Sequence, residues 1–340
     1  MKAACYHGLR DITCEDIEKP AIIEPTDIIV KVEACGICGS DLHSYKLGLF
    51  PEISMDTPKG RVPGHEFGGT VVETGNRVEG IETGDRVTCI AMGAMAEYVR
   101  VSNAFPDLTV YKLPDEVDFE EAATVEPLAT SLHAARKAEP AEGQTAVVFG
   151  AGIIGLGIIQ CLKAMDIRLE HIIAVDVSDR RLEIARKLGA THCVNALRED
   201  PYEKAVALTG TIPFSLMPDA GSFPAVDIVY DAVGYIVERS GVPVFQQALH
   251  IAREGGSVVV VGVFEQNVTL DLSDLVTKQV NVFGSFAYTP DEVKQCIEWI
   301  KAKKVDRKML ISHIMTVDRC KDAFDTQADF DGSVKVLIKP

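Results

Sequence analysis

The chain has 340 residues, 47% hydrophobic and 25% charged, enough for two ordinary domains with separate cores and too apolar for a disordered polymer. With 34 basic against 50 acidic residues the formal charge is −16, which opposes phosphate backbones and anionic bilayers, so neither nucleic acid nor membrane is an expected partner. Met1–Arg10 holds no apolar signal core, no run approaches about 18 apolar residues, and nine scattered cysteines fit reduced thiols, so the expected location is cytoplasmic.

The first third of the chain alternates apolar and polar residues in short runs, at Asp27–Ala34, Gly69–Gly75 and Asp85–Ile90, broken by glycines. That pattern predicts an antiparallel sheet or barrel. Between the first two runs lies Cys38-Gly39-Ser40-Asp41-Leu42-His43, followed 22 residues beyond His43 by His65-Glu66 inside Pro63–Gly69. Thiolate, imidazole and carboxylate bind zinc, and small neighbours leave room for a substrate, so the pattern suggests an open, catalytic metal. Cys35 and Cys38 also form Cys-x-x-Cys, a redox pair or half of a four-thiolate site. No second close pair exists among Cys5, Cys14, Cys89, Cys161, Cys193, Cys296 and Cys320. The stretch from His43 to His65, with Phe50-Pro51 and Pro58-Lys59-Gly60, reads as an irregular loop.

From about Gly143 strands and helices alternate. Thr145–Phe149 and His171–Asp176 are continuous apolar runs, as in strands buried on both faces, and Val226–Tyr230, Ser257–Val261 and Gln279–Phe283 follow. Residues 153–165 predict a packed helix; Ser178 and Gly189 predict the N-cap and C-terminal stop of the next. Asp200-Pro201 and the capping box Thr289-Pro290-Asp291-Glu292 open two more, whereas 209–224 reads as an extended surface loop. The alternation implies an α/β domain with a doubly wound parallel sheet.

Gly150-Ala151-Gly152-Ile153-Ile154-Gly155 sits between the Thr145 strand and the next helix, and Asp176 ends the following strand 21 residues after Gly155. Glycines there let backbone approach a pyrophosphate at a helix N-terminus, and the carboxylate can bond both ribose hydroxyls while repelling a 2'-phosphate. This points to NAD over NADP, an exclusion that Arg180 and Arg181 could soften.

In order, Gly36–His43, Gly64–Gly69, Gly84–Val87, Val125–Ala129 and Gly150–Gly155 resemble the zinc-dependent medium-chain alcohol and polyol dehydrogenases. The resemblance covers nearly the whole chain. It implies a GroES-like, β-rich catalytic domain from 1–129 and 284–340, around a Rossmann NAD-binding domain at 130–283. It also implies Cys38 and His65 as zinc ligands, with Glu126 where alcohol dehydrogenases carry a cysteine. That substitution is similar to the sorbitol, butanediol and threonine branches, in which Glu66 or Glu126 binds the metal directly or through water. Asp41 matches a residue that orients a ligand, Ser40 and His43 the proton relay, and Thr130 a nicotinamide contact. Ile153, Ile154, Arg181 and Val263 complete the expected cofactor contacts, and Tyr45 and Phe50 are candidates to line the pocket.

The resemblance implies transfer of a hydride between a secondary alcohol, diol or polyol and NAD, by a homodimer or homotetramer built partly through the Rossmann sheets. A carboxylate is a harder donor than a thiolate, which favours exchangeable water or a vicinal hydroxyl on the metal over a simple primary alcohol. After Gly84–Val87 the family's four-cysteine lobe is missing and Cys89 stands alone, so one zinc and no structural zinc is expected. Rival readings are a threonine-type amino-alcohol dehydrogenase and a non-catalytic nucleotide-binding protein of the same fold. A zinc-free quinone reductase would lack the Cys38 and His65 pair.

Overall fold

In a computed structural model, which describes residues 1–216, 218–236 and 241–340, the chain divides into two units, Met1–Pro127 with Thr289–Pro340, and Leu128–Tyr288. The sequence places these crossings at 129/130 and 283/284. In the structure the first change falls two residues earlier, at 127/128 within the same Val125–Lys137 helix, and the second at 288/289, just before the Pro290–Lys301 helix.

The first unit is built on a seven-stranded sheet. Ile28–Gly36 pairs antiparallel with Glu66–Thr74, Tyr98–Val101 and Lys335–Lys339; Ile311–Thr316 lies outside Lys335–Lys339, and Arg86–Cys89 and Val110–Lys112 continue beyond Glu66–Thr74. Ile28, Val30 and Val32 share one face and enter a core with Phe67, Val71, Val87, Val99, Phe324, Val336 and Ile338. The opposite face shows Lys31, whose ammonium bonds Glu33 at 2.9 Å. Two-residue periodicity thus selects the side chains that enter this core, while Ile29, beside a register shift, is buried as well. A second sheet joins Asp11–Asp16, Lys2–Gly8, Gly60–Val62 and Met55–Thr57.

The interval from His43 to His65 departs from the loop that the sequence predicts. His43 lies within the Gly39–Leu47 helix, Gly48 caps that helix at φ 69°, and Met55–Thr57 and Gly60–Val62 form a hairpin. Prolines broke the sequence pattern without preventing short elements between them.

The second unit is a six-stranded parallel sheet in the spatial order His192–Asn195, His171–Asp176, Thr145–Phe149, Ile228–Asp231, Ser257–Val260, Asn281–Gly284. This is the doubly wound Rossmann order, with its switch point between Thr145–Phe149 and Ile228–Asp231. All five residues of Thr145–Phe149 are buried. Ser178 Oγ caps the Asp179–Leu188 helix, which Gly189 ends at φ 119°, and Asp200 caps Pro201–Thr209. The region 209–224 is not simply a loop. Thr211–Pro213 and Ser222–Pro224 pair as an antiparallel ribbon, with Phe214 and Phe223 edge to face at 5.8 Å. Among the described residues no helix is long and apolar enough to cross a membrane.

Candidate active site

Strand register brings the first unit's two motifs together. Gly36 pairs with Glu66 and Cys35 with Phe67, so Cys38, two residues past the end of Ile28–Gly36, meets His65 and Glu66 at the start of the partner strand. Ligand atoms of Cys38, His65 and Glu66 all lie within 4.8 Å of one another. Cys38 also precedes the Gly39–Leu47 helix, and its N–H donates to Asp41 Oδ2 at 2.9 Å. That bond locks the turn carrying the thiol.

Three buried polar atoms here have no hydrogen-bond partner among the described residues: His65 Nδ1, Glu66 Oε1 and Asp41 Oδ1. Lys335, from the last strand, donates its Nζ to Glu66 Oε2 at 2.6 Å and to the Ile37 carbonyl at 2.8 Å. Both side chains are closed to solvent, at 1% and 0% exposure. Glu126, half-buried near the start of the Val125–Lys137 helix, stands outside the three-ligand cluster but within its electrostatic reach. Burial, then the like charge of Glu66, pushes Glu126 up to about 7, against the pull of His65 and Lys335. Burial also raises Asp41, opposed by His65. For His65 burial works against the charged ring, yet Cys38, Asp41 and Glu126 outweigh it and hold the imidazole well above its usual value.

These residues fit a zinc ion. The donors are sulfur, nitrogen and oxygen, orphaned acceptors are available, and a dication would relieve the repulsion among three carboxyl groups that one ammonium only partly offsets.

Ser40 and His43, both half-buried, are three residues apart on the Gly39–Leu47 helix and so share a face. The His43 ring meets Phe50 edge to face at 6.2 Å. Tyr45, expected to line the pocket, is a core residue instead. It is 1% exposed, packs on Phe324 at 5.2 Å and donates its hydroxyl to Asp325 Oδ1 at 2.9 Å. Asp41 and Tyr45, four apart, form the helix's buried face, which carries the ring into the core.

The second unit carries the glycine-rich turn. Gly150 has φ 89°, and Gly155 packs so closely on the Gly150 carbonyl that no Cβ would fit. Gly152 is the N-cap of the Ile153–Ala164 helix, so Ile153 and Ile154 lie in a first turn whose N–H groups favour an anion. Asp176 holds this turn directly: Oδ2 accepts from Ala151 N–H at 2.6 Å, and Oδ1 from Val177 and Ser178 N–H at 2.7 and 2.8 Å. A guanidinium nitrogen of Arg181 lies 3.8 Å from where a Cβ on Gly152 would stand. The Val263 carbonyl accepts from Tyr235 N–H at 3.0 Å, and Thr130 is half-buried on the Val125–Lys137 helix. Lys335 escaped the sequence reading. Its only signal is a lysine opening the apolar run Val336–Ile338.

A GroES-like unit with a mixed thiolate, imidazole and carboxylate cluster, and a Rossmann unit with its phosphate turn, define a zinc-binding dehydrogenase. Residues 24–115 match the family model of the alcohol dehydrogenase GroES-like domain, and 154–302 that of the zinc-binding dehydrogenase. The chain is 31% identical to the (R,R)-butanediol dehydrogenase of Bacillus subtilis over 372 residues, covering 100% of both chains. It is 29% identical to the sorbitol dehydrogenase of the same organism, over 100% of this chain and 97% of that one. The crystal structure of 2R,3R-butanediol dehydrogenase from Bacillus subtilis superposes with a TM-score of 0.82 at 30% identity, covering 100% of this chain and 99% of that one. The chain belongs to the zinc-dependent medium-chain alcohol and polyol dehydrogenase family. It is an oxidoreductase of the zinc- and NAD-using kind.

Proposed function

We propose that the protein interconverts a vicinal diol or polyol and the corresponding ketone, using NAD and one zinc ion per chain held by Cys38 and His65 with Glu66 or Glu126. The observation that carries this reading is the Cys38, His65 and Glu66 cluster with a carboxyl, Glu126, beside it in place of a further thiol. Similarity to butanediol and sorbitol dehydrogenases supports a substrate with adjacent hydroxyls. Zinc, when bound, supplies a Lewis acid that draws the pKa of a coordinated hydroxyl toward neutrality.

The chain's own residues would do the rest. Asp41 would fix the turn that carries the Cys38 thiol and add negative charge beside His65, Lys335 would hold one Glu66 oxygen and leave the other unpaired, and Ser40 and His43 would carry the substrate proton outward along one helix face. The 130–283 region would hold NAD, with pyrophosphate over Gly150–Gly155, adenosine ribose at Asp176, and Thr130, Arg181 and Val263 as further contacts. A homodimer or homotetramer is proposed through the sheet edge at Asn281–Gly284, where Val282 is 40% exposed. A cytoplasmic location is part of the same reading.

Steady-state screening of sugar alcohols, 2,3-butanediol, threonine and secondary alcohols, followed by NADH absorbance, tests this. The expected outcome is highest kcat/KM for a diol or polyol, about one zinc per chain by elemental analysis, and loss of turnover on chelation. Preference for threonine, or full activity without metal, would overturn it.

A further inference from the structure

Asp231 is a fully buried carboxyl group of the second unit, at the C-terminal end of Ile228–Asp231. Its Oδ1 accepts two backbone bonds, from Val233 N–H at 3.0 Å and Gly234 N–H at 2.8 Å. Its Oδ2 is buried and has no partner among the described residues. Its own carbonyl accepts from Val261 and Gly262 N–H, each at 2.9 Å. Burying a carboxyl with one oxygen unpaired is costly, so the two bonds it does make are a guide to what it holds in place.

What it holds is the 232–235 turn. On one side, Ala232 N–H bonds the Phe149 carbonyl at 3.0 Å, and a Cβ on Gly150 would come within 2.7 Å of Val233 Cγ2. On the other side, Gly234, at φ 71°, lies so close to the Val263 carbonyl that a Cβ could not fit, and Tyr235 N–H bonds that carbonyl at 3.0 Å. The turn is therefore wedged between the ends of Thr145–Phe149 and Ser257–Val260. The turn leaves the C-terminal end of Ile228–Asp231, one of the two strands that flank the switch point of the sheet, where doubly wound folds open a ligand crevice.

We propose that Asp231 is a positioning residue for the dinucleotide. By fixing Val233 and Gly234 it sets the spacing between the Gly150 phosphate turn and the Val263 wall. The inference rests on the cofactor reading above and adds to it a residue that need not touch the ligand.

The test is titration of the zinc-loaded enzyme with NADH, followed by fluorescence, for wild type, Asp231→Asn and Asp231→Leu. Asparagine keeps an acceptor for both N–H groups, so its Kd should stay within about threefold of wild type. Leucine leaves both donors unpaired, and Kd should rise by about tenfold or more. KM for NAD+ should rise with it, while kcat and the alcohol KM at saturating NAD+ stay within about twofold. Should the leucine variant not fold, Gly234→Ala disturbs the same turn from the Val263 side and should give the same split. A wild-type NADH Kd in these variants, or a loss falling equally on the alcohol KM and kcat, overturns the proposal. Failure of the wild-type enzyme to bind NADH would instead remove the cofactor reading, and the inference with it.

Discussion

Lys335 shows how a single buried charge can organise a site. Taking an ammonium out of water lowers its pKa, yet Glu66, the Cys38 sulfur and Glu126 outweigh burial and keep Lys335 above its usual value. Asp176 has a double task, because the carboxylate expected to meet a ribose also binds three backbone N–H groups of its own unit. Asp176→Asn keeps acceptor capacity and removes the charge. The ratio of kcat/KM for NAD+ to that for NADP+ should therefore fall by about tenfold, and an unchanged ratio would count against the ribose contact. Asp231 supplies a pH prediction at the same scale. Burial raises it from 3.8 to about 6, against the Gly234 and Val233 bonds. Between those values the native state keeps a proton that the unfolded chain has lost, so this residue makes stability fall as pH rises from about 4 to about 6. The effect is at most about 3 kcal/mol and should vanish in Asp231→Asn, read from urea denaturation of both proteins across that window.

At the scale of elements, Lys278 acts as a cap supplied from outside its helix. The last carbonyls of the Val244–Ile251 helix lack intrahelical donors, and the buried Lys278 ammonium takes that place, donating to the Leu249, His250 and Ala252 carbonyls at 2.9, 2.7 and 3.2 Å. Burial lowers its pKa and Asp274, 3.6 Å away, opposes this. Lys278→Met should cost about 2–3 kcal/mol in urea denaturation by leaving those carbonyls unpaired. A loss below about 0.5 kcal/mol would show that the helix end is satisfied otherwise. The Pro290–Lys301 helix, by contrast, is capped from within its own sequence. Thr289 N–H donates to Glu292 Oε2 at 2.8 Å and Glu292 N–H to Thr289 Oγ1 at 3.4 Å. That is why its start is legible from four residues, whereas the cap of Val244–Ile251, nearly thirty residues away in Lys278, is not.

At the scale of the molecule, each unit has its own hydrophobic core, and the core of the first draws on Ile28, Val30, Phe67, Val87 and Phe324, well beyond the zinc cluster. Cys38→Ser should therefore lose zinc and turnover while its melting temperature stays within a few degrees of wild type, since the fold does not depend on the metal for its apolar burial. Unfolding of that variant by circular dichroism would contradict this. Thr145–Phe149, His171–Asp176 and the Ser178 to Gly189 helix could be read from sequence because burial on both faces and helix caps are encoded within a few neighbouring residues. The chemistry of Cys38, His65 and Glu66 was legible for a related reason, namely that ligand type belongs to the side chain itself. The two-part architecture and the kinds of side chain available to the site are thus encoded locally along the chain. Folding in three dimensions is what brings Lys335 to Glu66 from 269 residues away, turns Tyr45 into the core and lets Asp231 tie three strand ends together, because strand register and close packing set those distances and neither is written locally in the chain.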